Sequence, residues 1–519
     1  MPELSYWPAD RSSPVLDTTI GSVLRDTAAR LPDAWAVIDG DAPDRRCTYA
    51  QLLGDAERIA TGLLSRFQPG ERVAIWGPSS PEWLKIEYGA ALAGLGLVTV
   101  NPGLKSGELR YVLEQSGAVG IILVDEFRGN PMRQWLDLVS GELPRLRDVL
   151  PLHDWKSWAG TTRDGVEWPE VRPDDLVQIH FTSGTTGRPK GAMLHHRGVT
   201  NNMRFHKDRL GLVPGDIFLN PTPMFHVGGA VLANLTALNA GACLVPVQRF
   251  DAATVLDLIP ELGVDAMIGV PTMYIDLVAE HDRRPRPTDS LRVVMVGGSL
   301  ASPDLIQTLQ TVFGASVRNV YGQTECGSII ATTVGDDTVA DIAGTVGRPM
   351  PQIDVKVVDR EGQVVACGAP GELCVRGYEV MHGYCDMPVE TKEALDEDGW
   401  LRTGDVCTAD ERGYIRIVSR VKEMIIRGGE NIFPAEIEDV IRRHPAVADV
   451  AVVGVADSRL GEVVGAVVRL AGRATIEDLR GFAAGLLSRE KVPAHWRIVD
   501  SFPLTASGKV RKQDLRDTF

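Results

Sequence analysis

The chain has 519 residues, 44% of them hydrophobic and 24% charged, so it is long enough for several domains and too apolar to stay disordered. Against 69 acidic residues stand 54 Lys and Arg, a net charge of −15 that opposes bulk binding to nucleic acid or an anionic membrane. The densest basic cluster, Arg283, Arg284 and Arg286, is too short to reverse this.

The first twelve residues carry Glu3, Asp10 and Arg11 and no apolar stretch, so no secretory signal is expected. Thr48 and Gln51 form a capping-box start for a helix over about 48–67, followed by a short apolar strand at 72–76. A second helix follows Pro81, with Trp83, Leu84, Tyr88 and Leu92 at helical spacing. Residues 97–100 read as strand, 108–115 as helix and 120–124 as an all-apolar strand. Apolar strands joined by helices are what a parallel sheet covered on both faces requires, so the fold class is α/β.

Residues 217–248 contain no charged side chain and are long enough to raise the question of a membrane span. Asn234, Thr236, Asn239 and three glycines interrupt the stretch, which parses better as a buried helix at 229–239, a stop at Gly241 and a strand at 242–247. No stable membrane insertion is expected. The seven cysteines (Cys47, Cys243, Cys326, Cys367, Cys374, Cys385, Cys407) are odd in number and lack Cys-x-x-Cys spacing, which reads as reduced thiols of a cytoplasmic protein.

The pattern changes near Arg420. Residues 420–427 read as a strand, Gly428 and Gly429 as a flexible turn, and Pro434 as the first turn of a helix with acidic residues at its start and Arg442 and Arg443 at its end. Strands at 450–455 and 463–470 and a helix at 476–487 complete an α+β unit of about 100 residues. The boundary is placed at 419–422, dividing a large domain, 1–419, from a small one, 420–519.

The strongest chemical signal is Thr182-Ser183-Gly184-Thr185-Thr186-Gly187-Arg188-Pro189-Lys190-Gly191, at the end of an apolar strand over 176–181. Four hydroxyls, three glycines and a lysine in ten residues can surround a polyphosphate with N–H and O–H donors and a mobile positive charge. It is not a Walker A loop, because Lys190 follows Pro189 and precedes Gly191.

This loop resembles the signature of the adenylate-forming superfamily, which includes acyl-CoA synthetases, aryl-CoA ligases, luciferases and peptide-synthetase adenylation domains. Four more motifs follow in the family's order. Tyr321-Gly322-Gln323-Thr324-Glu325 is similar to its aromatic-Gly-x-Thr-Glu motif, and Trp400 to Asp405 resembles Trp-x-x-Thr-Gly-Asp. Ser419-Arg420-Val421-Lys422 resembles its hinge, and Ser507-Gly508-Lys509 its C-terminal lysine motif.

The resemblance implies a large adenylation domain with a small mobile lid, using ATP, Mg2+ and coenzyme A. An oxyanion attacks the α-phosphate and expels pyrophosphate, so charge must be neutralised at both ends of the transfer. It implies that Thr182, Ser183, Gly184, Thr185, Thr186 and Lys190 hold the β and γ phosphates. Glu325 would hold Mg2+, and Thr324 would touch the α-phosphate. Tyr321 would lie on the adenine beside Gly297, Gly298 and Gly322, and Asp405 and Arg420 would take the ribose. Lys509 would bridge oxyanion and α-phosphate once the lid closes. Lys422 would be the hinge on which the lid swings to a thiol-transfer pose, bringing Gly428 and Gly429 to a pantetheine tunnel. The catalytic set expected is Lys509, Thr182, Lys190, Glu325 and His226.

Pro223-Met224-Phe225-His226-Val227-Gly228-Gly229 resembles the stretch that opens the family's acyl pocket. Relatives that activate amino acids typically place Asp after this Phe; His226 stands here, which argues against an α-ammonium substrate. The pocket is expected to take in His226, Val227, Gly228, Tyr274, Gly298, Gly322 and Cys326, with Val231, Leu232, Met295 and Ile329 as apolar neighbours, consistent with a fatty or aryl acid. His195 and His196 are expected to be structural. Around 427–432 the chain is most similar to bacterial fatty acyl-CoA synthetases, although Ile426 stands where many relatives have a second lysine.

The leading reading is an ATP-dependent carboxylate–CoA ligase for a medium-chain, long-chain or aromatic acid. The alternative keeps the adenylation and changes the acceptor to a carrier protein, or activates another oxyanion such as nitrite for attack by an amine. A nucleotide-binding regulator with a dead site is disfavoured by the intact Lys190, Glu325, Asp405 and Lys509.

Overall fold

A computed structural model describes residues 3–160, 167–182, 189–298, 301–427, 430–504 and 510–519. The chain divides into two compact units, one of Pro8–Val355 with Val375–Leu401 and one of Met1–Trp7, Lys356–Cys374 and Arg402–Phe519. The expected boundary at 419–422 therefore falls inside the second unit. The reason is local: the hairpin of Leu401–Ala409 with Ile415–Arg420 runs on into the next turn, where the Val421 N–H donates to the Gly404 carbonyl at 2.8 Å.

The larger unit is α/β as expected. Its six-stranded sheet runs in the order Asp148–Pro151, Gly120–Leu123, Arg72–Trp76, Gly96–Val100, Leu176–Thr182, Lys190–His195. All neighbours are parallel except the last pair, which is antiparallel. A nine-stranded sheet has a parallel centre (Ser316–Tyr321, Val293–Val296, Ala266–Gly269, Ile217–Asn220, Cys243–Pro246, Trp35–Ile38) and antiparallel edges.

The helices that cover these sheets start where the chemistry of their caps says they should. Thr48 and Gln51 form the capping box of Tyr49–Leu64, and Ser80 caps Pro81–Leu92 with proline in the first turn. The uncharged stretch resolves into a strand, a π-helical turn at Gly228–Ala233, a short helix at Asn234–Ala240 and a second strand. Among the described residues, no helix is long and apolar enough to cross a membrane.

A five-stranded sheet, most of whose residues belong to the second unit, runs in the order Tyr6–Trp7, Ile353–Val358, Gly371–Gly377, Leu401–Ala409, Ile415–Arg420. Another carries Glu430–Ile432, Ile425–Arg427, Gly461–Leu470 and Val447–Asp457, with His495–Val499 parallel to Gly461–Leu470. Helices Pro434–Arg442 and Ile476–Ala484 contribute Ile437, Ile441 and Leu479 to a core shared with Ile425, Val452, Val464 and Val468. The single strand expected over 420–427 is two strands, because the backbone turns at 421–423 with the Glu423 and Met424 N–H groups donating to the Arg420 carbonyl.

Candidate functional site

The phosphate-loop motif closes a hairpin. Thr182 ends one strand and Lys190 begins the next as its register partner, and the Thr182 hydroxyl donates to the Lys190 carbonyl at 3.3 Å. The expected phosphate contacts Ser183, Gly184, Thr185 and Thr186 lie outside the described residues. The Tyr111 hydroxyl donates to the Pro189 carbonyl, just before Lys190, at 2.9 Å.

Lys190 Nζ lies 4.8 Å from the centre of the Tyr384 ring, a distance at which an ammonium is attracted to the aromatic face. The Tyr384 hydroxyl donates to Glu325 Oε1 at 2.8 Å. Glu325 sits on the single 3-10 turn Thr324–Cys326, and the Met381 N–H donates to its carbonyl at 2.9 Å. Burial and the neighbouring Glu325 carboxylate both push the Tyr384 phenol up, so it remains a donor at neutral pH. Thus Lys190 and Glu325, 135 positions apart in the sequence, meet on one ring.

Tyr321 ends the strand Ser316–Tyr321, and Gly322 follows it where the chain folds tightly back. A Cβ at Gly322 would stand 1.6 Å from the Ser328 carbonyl oxygen and 2.8 Å from the Ile329 Cα, so no larger residue fits. Thr324 and Cys326 are buried. Gly297 and Gly298 follow the strand Val293–Val296, and the Gly297 N–H donates to the Gly269 carbonyl at 3.1 Å.

Residues 221–227 form a loop that runs into the π-helical turn Gly228–Ala233. Here His226 Nδ1 accepts from the Gly228 N–H at 3.1 Å, and the His226 carbonyl accepts from Gly229 at 2.9 Å. A Cβ at Gly229 would be 2.3 Å from the Pro223 carbonyl oxygen, which explains the Gly-Gly step. Val227 is buried, and Val231 and Leu232 are buried behind it. Tyr274 is placed in the core: it is fully enclosed, and its hydroxyl donates to the carbonyls of Met295 at 2.7 Å and Met267 at 3.2 Å. His195 caps helix His196–Leu210 through Nδ1, and His196 Nδ1 accepts from the Ile20 N–H at 3.2 Å.

In the second unit, Asp405 and Arg420 face each other across the hairpin, with Arg420 Nε 3.1 Å from Asp405 Oδ1. Asp405 is 5% exposed, and its N–H donates to Thr403 Oγ1 at 3.1 Å. Lys422 occupies the turn between Ile415–Arg420 and Ile425–Arg427. The next residue, Glu423, pairs with Lys512 at 3.2 Å, and Lys512 also reaches Glu438 at 2.8 Å. Lys509, Gly428 and Gly429 lie outside the described residues.

Two family models match: that of the AMP-binding enzyme over residues 24–385, and that of the AMP-binding enzyme C-terminal domain over 436–509. The chain belongs to the AMP-binding enzyme family. Among members of this family, it is 36% identical to YngI of Bacillus subtilis, named as an acyl-CoA synthetase, over 97% of each chain. It is 35% identical to the human mitochondrial medium-chain acyl-CoA ligase ACSF2, over 99% of this chain and 89% of that one. In structure it is similar to the o-succinylbenzoate CoA synthetase of Bacillus subtilis in complex with an acyl-adenylate intermediate, with TM-score 0.85, 27% identity and coverage of 97% and 99%.

Tyr384 is a neighbour of Lys190 and Glu325 that sequence reasoning missed. It lies 59 positions from Glu325, and no local pattern marks an aromatic residue as the partner of a distant carboxylate. The Thr182–Lys190 hairpin was legible in part, since a strand was expected only on its leading side.

Proposed function

We propose that the chain is an ATP-dependent, AMP-forming acid–CoA ligase acting on an apolar carboxylic acid, either a medium- or long-chain fatty acid or an aromatic one. The observation that carries this reading is the convergence of Lys190 and Glu325 on Tyr384 beside the phosphate-loop hairpin. Relatives named as acyl-CoA synthetase and medium-chain acyl-CoA ligase support the choice of acid and acceptor.

In this reading Thr182, Ser183, Gly184, Thr185, Thr186 and Lys190 hold the β and γ phosphates of ATP. The Lys190 ammonium offsets the charge that builds on departing pyrophosphate. Glu325 fits Mg2+. Among the described residues no group of three or more acidic, His or Cys side chains could hold a metal, and Mg2+ usually takes one or two carboxylates and completes its shell with phosphate oxygens and water. When bound, Mg2+ supplies charge neutralisation of the phosphates. Thr324 donates to the α-phosphate, Tyr321 packs on adenine beside Gly297, Gly298 and Gly322, and Asp405 accepts from the ribose hydroxyls with Arg420 holding its carboxylate.

His226, Val227, Gly228 and Cys326 belong to the entrance and wall through which the acid presents its carboxylate. A carboxylate oxygen attacks the α-phosphorus, the bond to the bridging oxygen breaks, and pyrophosphate leaves. Lys509 stabilises the negative charge shared by the two reacting anions. The lid then turns about Lys422. The thiol of coenzyme A loses its proton and attacks the acyl carbon, and the carbon–oxygen bond to AMP breaks, giving thioester and AMP. All seven cysteines are free, which supports a reducing compartment, and the cytoplasm is proposed.

The test is pyrophosphate release across fatty acids of increasing length, aryl acids, amino acids and nitrite, each with coenzyme A, a carrier protein or an amine as acceptor. Stimulation by coenzyme A with one class of apolar acid supports the reading. Turnover only with nitrite and an amine, or only with a carrier protein, overturns the choice of substrate or acceptor.

A further inference from the structure

Behind the loop that leads to His226 lies a file of polar side chains that the proposed reaction does not use. Glu87 is on helix Pro81–Leu92, Gln178 and His180 are two apart on one face of the strand Leu176–Thr182, and Thr99 is the register partner of His180 on the next strand. Their exposures are 2, 0, 2 and 3%. Glu87 Oε1 is 2.6 Å from Gln178 Nε2, Gln178 Oε1 is 2.7 Å from His180 Nε2, and His180 Nδ1 is 3.0 Å from Thr99 Oγ1. Thr99 Oγ1 is 2.9 Å from the carbonyl oxygen of Phe225, the residue before His226. The second oxygen of Glu87 accepts from Asn234 Nδ2 at 2.7 Å.

Proton counting gives this file two consistent states when the Glu87 proton is carried by Oε1, the oxygen that faces Gln178. A neutral imidazole has one N–H, a hydroxyl has one proton, and an amide can present its oxygen or its nitrogen either way. With Glu87 ionised, the Gln178 amide donates to it, His180 Nε2–H donates to the Gln178 oxygen, and Nδ1 accepts the Thr99 proton. The Phe225 carbonyl then receives nothing from Thr99. With Glu87 protonated, every bond reverses: Glu87 donates to the Gln178 oxygen, the amide donates to Nε2, Nδ1–H donates to Thr99, and Thr99 donates to the Phe225 carbonyl. The two states differ by one proton, released from Glu87.

We propose that Glu87, Gln178, His180 and Thr99 form a positioning relay for the acid-binding loop, and that the state with Glu87 protonated is the one that holds the loop ready for substrate. The inference rests on the reading of 223–229 as the acid entrance. Burial pushes the Glu87 carboxyl up to about 8, so the change of state falls near neutral pH. Among the described residues no lysine or arginine pairs with Glu87; the groups facing it are Gln178 and Asn234, with the phenol of Tyr88 beside it on its own helix. At the other end, burial and then His226 push the His180 imidazole down to about 3, which keeps it neutral in both states.

The experiment is the pyrophosphate half-reaction without coenzyme A, read as separate KM values for acid and ATP between pH 6.5 and 9.5. For the wild type, the acid KM is expected to rise about five- to tenfold above pH 8, the worth of one hydrogen bond, with the ATP KM unchanged. Thr99→Val removes the hydroxyl at constant shape and is expected to show the high acid KM at every pH, with kcat held within about twofold. Thr99→Ser is expected to restore the wild-type profile. Glu87→Gln cannot ionise and is expected to keep a low acid KM at pH 9. A folded Thr99→Val with the wild-type acid KM and pH profile overturns the relay. Should Thr99→Val fail to fold, a Glu87→Gln whose acid KM still rises above pH 8 overturns it. Absence of pyrophosphate release from the wild type with every acid overturns the ligase reading, and the relay with it; release with unaltered variants overturns the relay alone.

Discussion

Tyr384 donates its hydroxyl to Glu325 Oε1 at 2.8 Å. Its ring also lies 4.8 Å from Lys190 Nζ, so one side chain orients both groups assigned to the phosphates. Tyr384→Phe keeps the ring and removes the donor. A hydrogen bond to a charged group contributes about 1.5–3 kcal/mol; with Glu325 less well held, the Mg2+ concentration for half-maximal pyrophosphate release is expected to rise about tenfold or more. A titration of rate against Mg2+ at saturating ATP checks this, and an unchanged midpoint contradicts it.

Lys509→Ala is expected to lower adenylate formation by about 100-fold or more, the usual cost of removing one preorganised donor to developing charge. ATP affinity, measured by equilibrium binding, is expected to stay within about threefold because Lys190, Asp405 and the adenine contacts are untouched. Pyrophosphate release at the wild-type rate would remove Lys509 from the mechanism.

Gly322→Ala forces a methyl group toward the Ser328 carbonyl, where a Cβ would stand only 1.6 Å away. Backbone on both sides leaves no flexible group to give way, so a stability loss of about 1–3 kcal/mol is expected together with a raised ATP KM. Urea unfolding and ATP kinetics on the purified variant check both.

Glu379 is 1% exposed, and among the described residues no other residue hydrogen-bonds either of its buried carboxylate oxygens. Burial pushes its carboxyl up to about 8. The folded protein therefore keeps a proton that the unfolded chain gives up near its ordinary carboxylate range. Stability from this group is greatest below that range and declines as pH rises to about 8, by at most about 1.4 kcal/mol per pH unit. Glu379→Gln is expected to flatten that decline, so that the urea midpoint of the variant relative to wild type is higher at pH 8 than at pH 5. Parallel curves for wild type and variant would contradict it.

Much of the fold was legible because its strands are apolar throughout and its helices carry explicit caps, such as Thr48 with Gln51 and Ser80 before Pro81. The turn at 421–423 was not, since Val421 and Met424 continue the apolar pattern and the break is made by backbone hydrogen bonds to Arg420 and Gly404. Of the candidate site, Thr182, Lys190 and Glu325 stood out through dense local motifs. Tyr384 and the Glu87 relay did not: each works through partners far away in the sequence, and a single Tyr, Glu or Thr between apolar neighbours looks like core. Tyr274, expected at the pocket, is buried in the core with its hydroxyl on two backbone carbonyls, contacts that no local sequence pattern marks.

A carboxylate oxygen of the substrate that attacks the α-phosphorus of ATP ends in AMP. A fatty acid carrying 18O in both carboxylate positions, turned over with ATP, Mg2+ and coenzyme A and followed by mass spectrometry of the nucleotide, tests it directly. One 18O is expected in each AMP formed, with the other retained in the thioester and none in pyrophosphate. Unlabelled AMP, or label in pyrophosphate or phosphate, would contradict it.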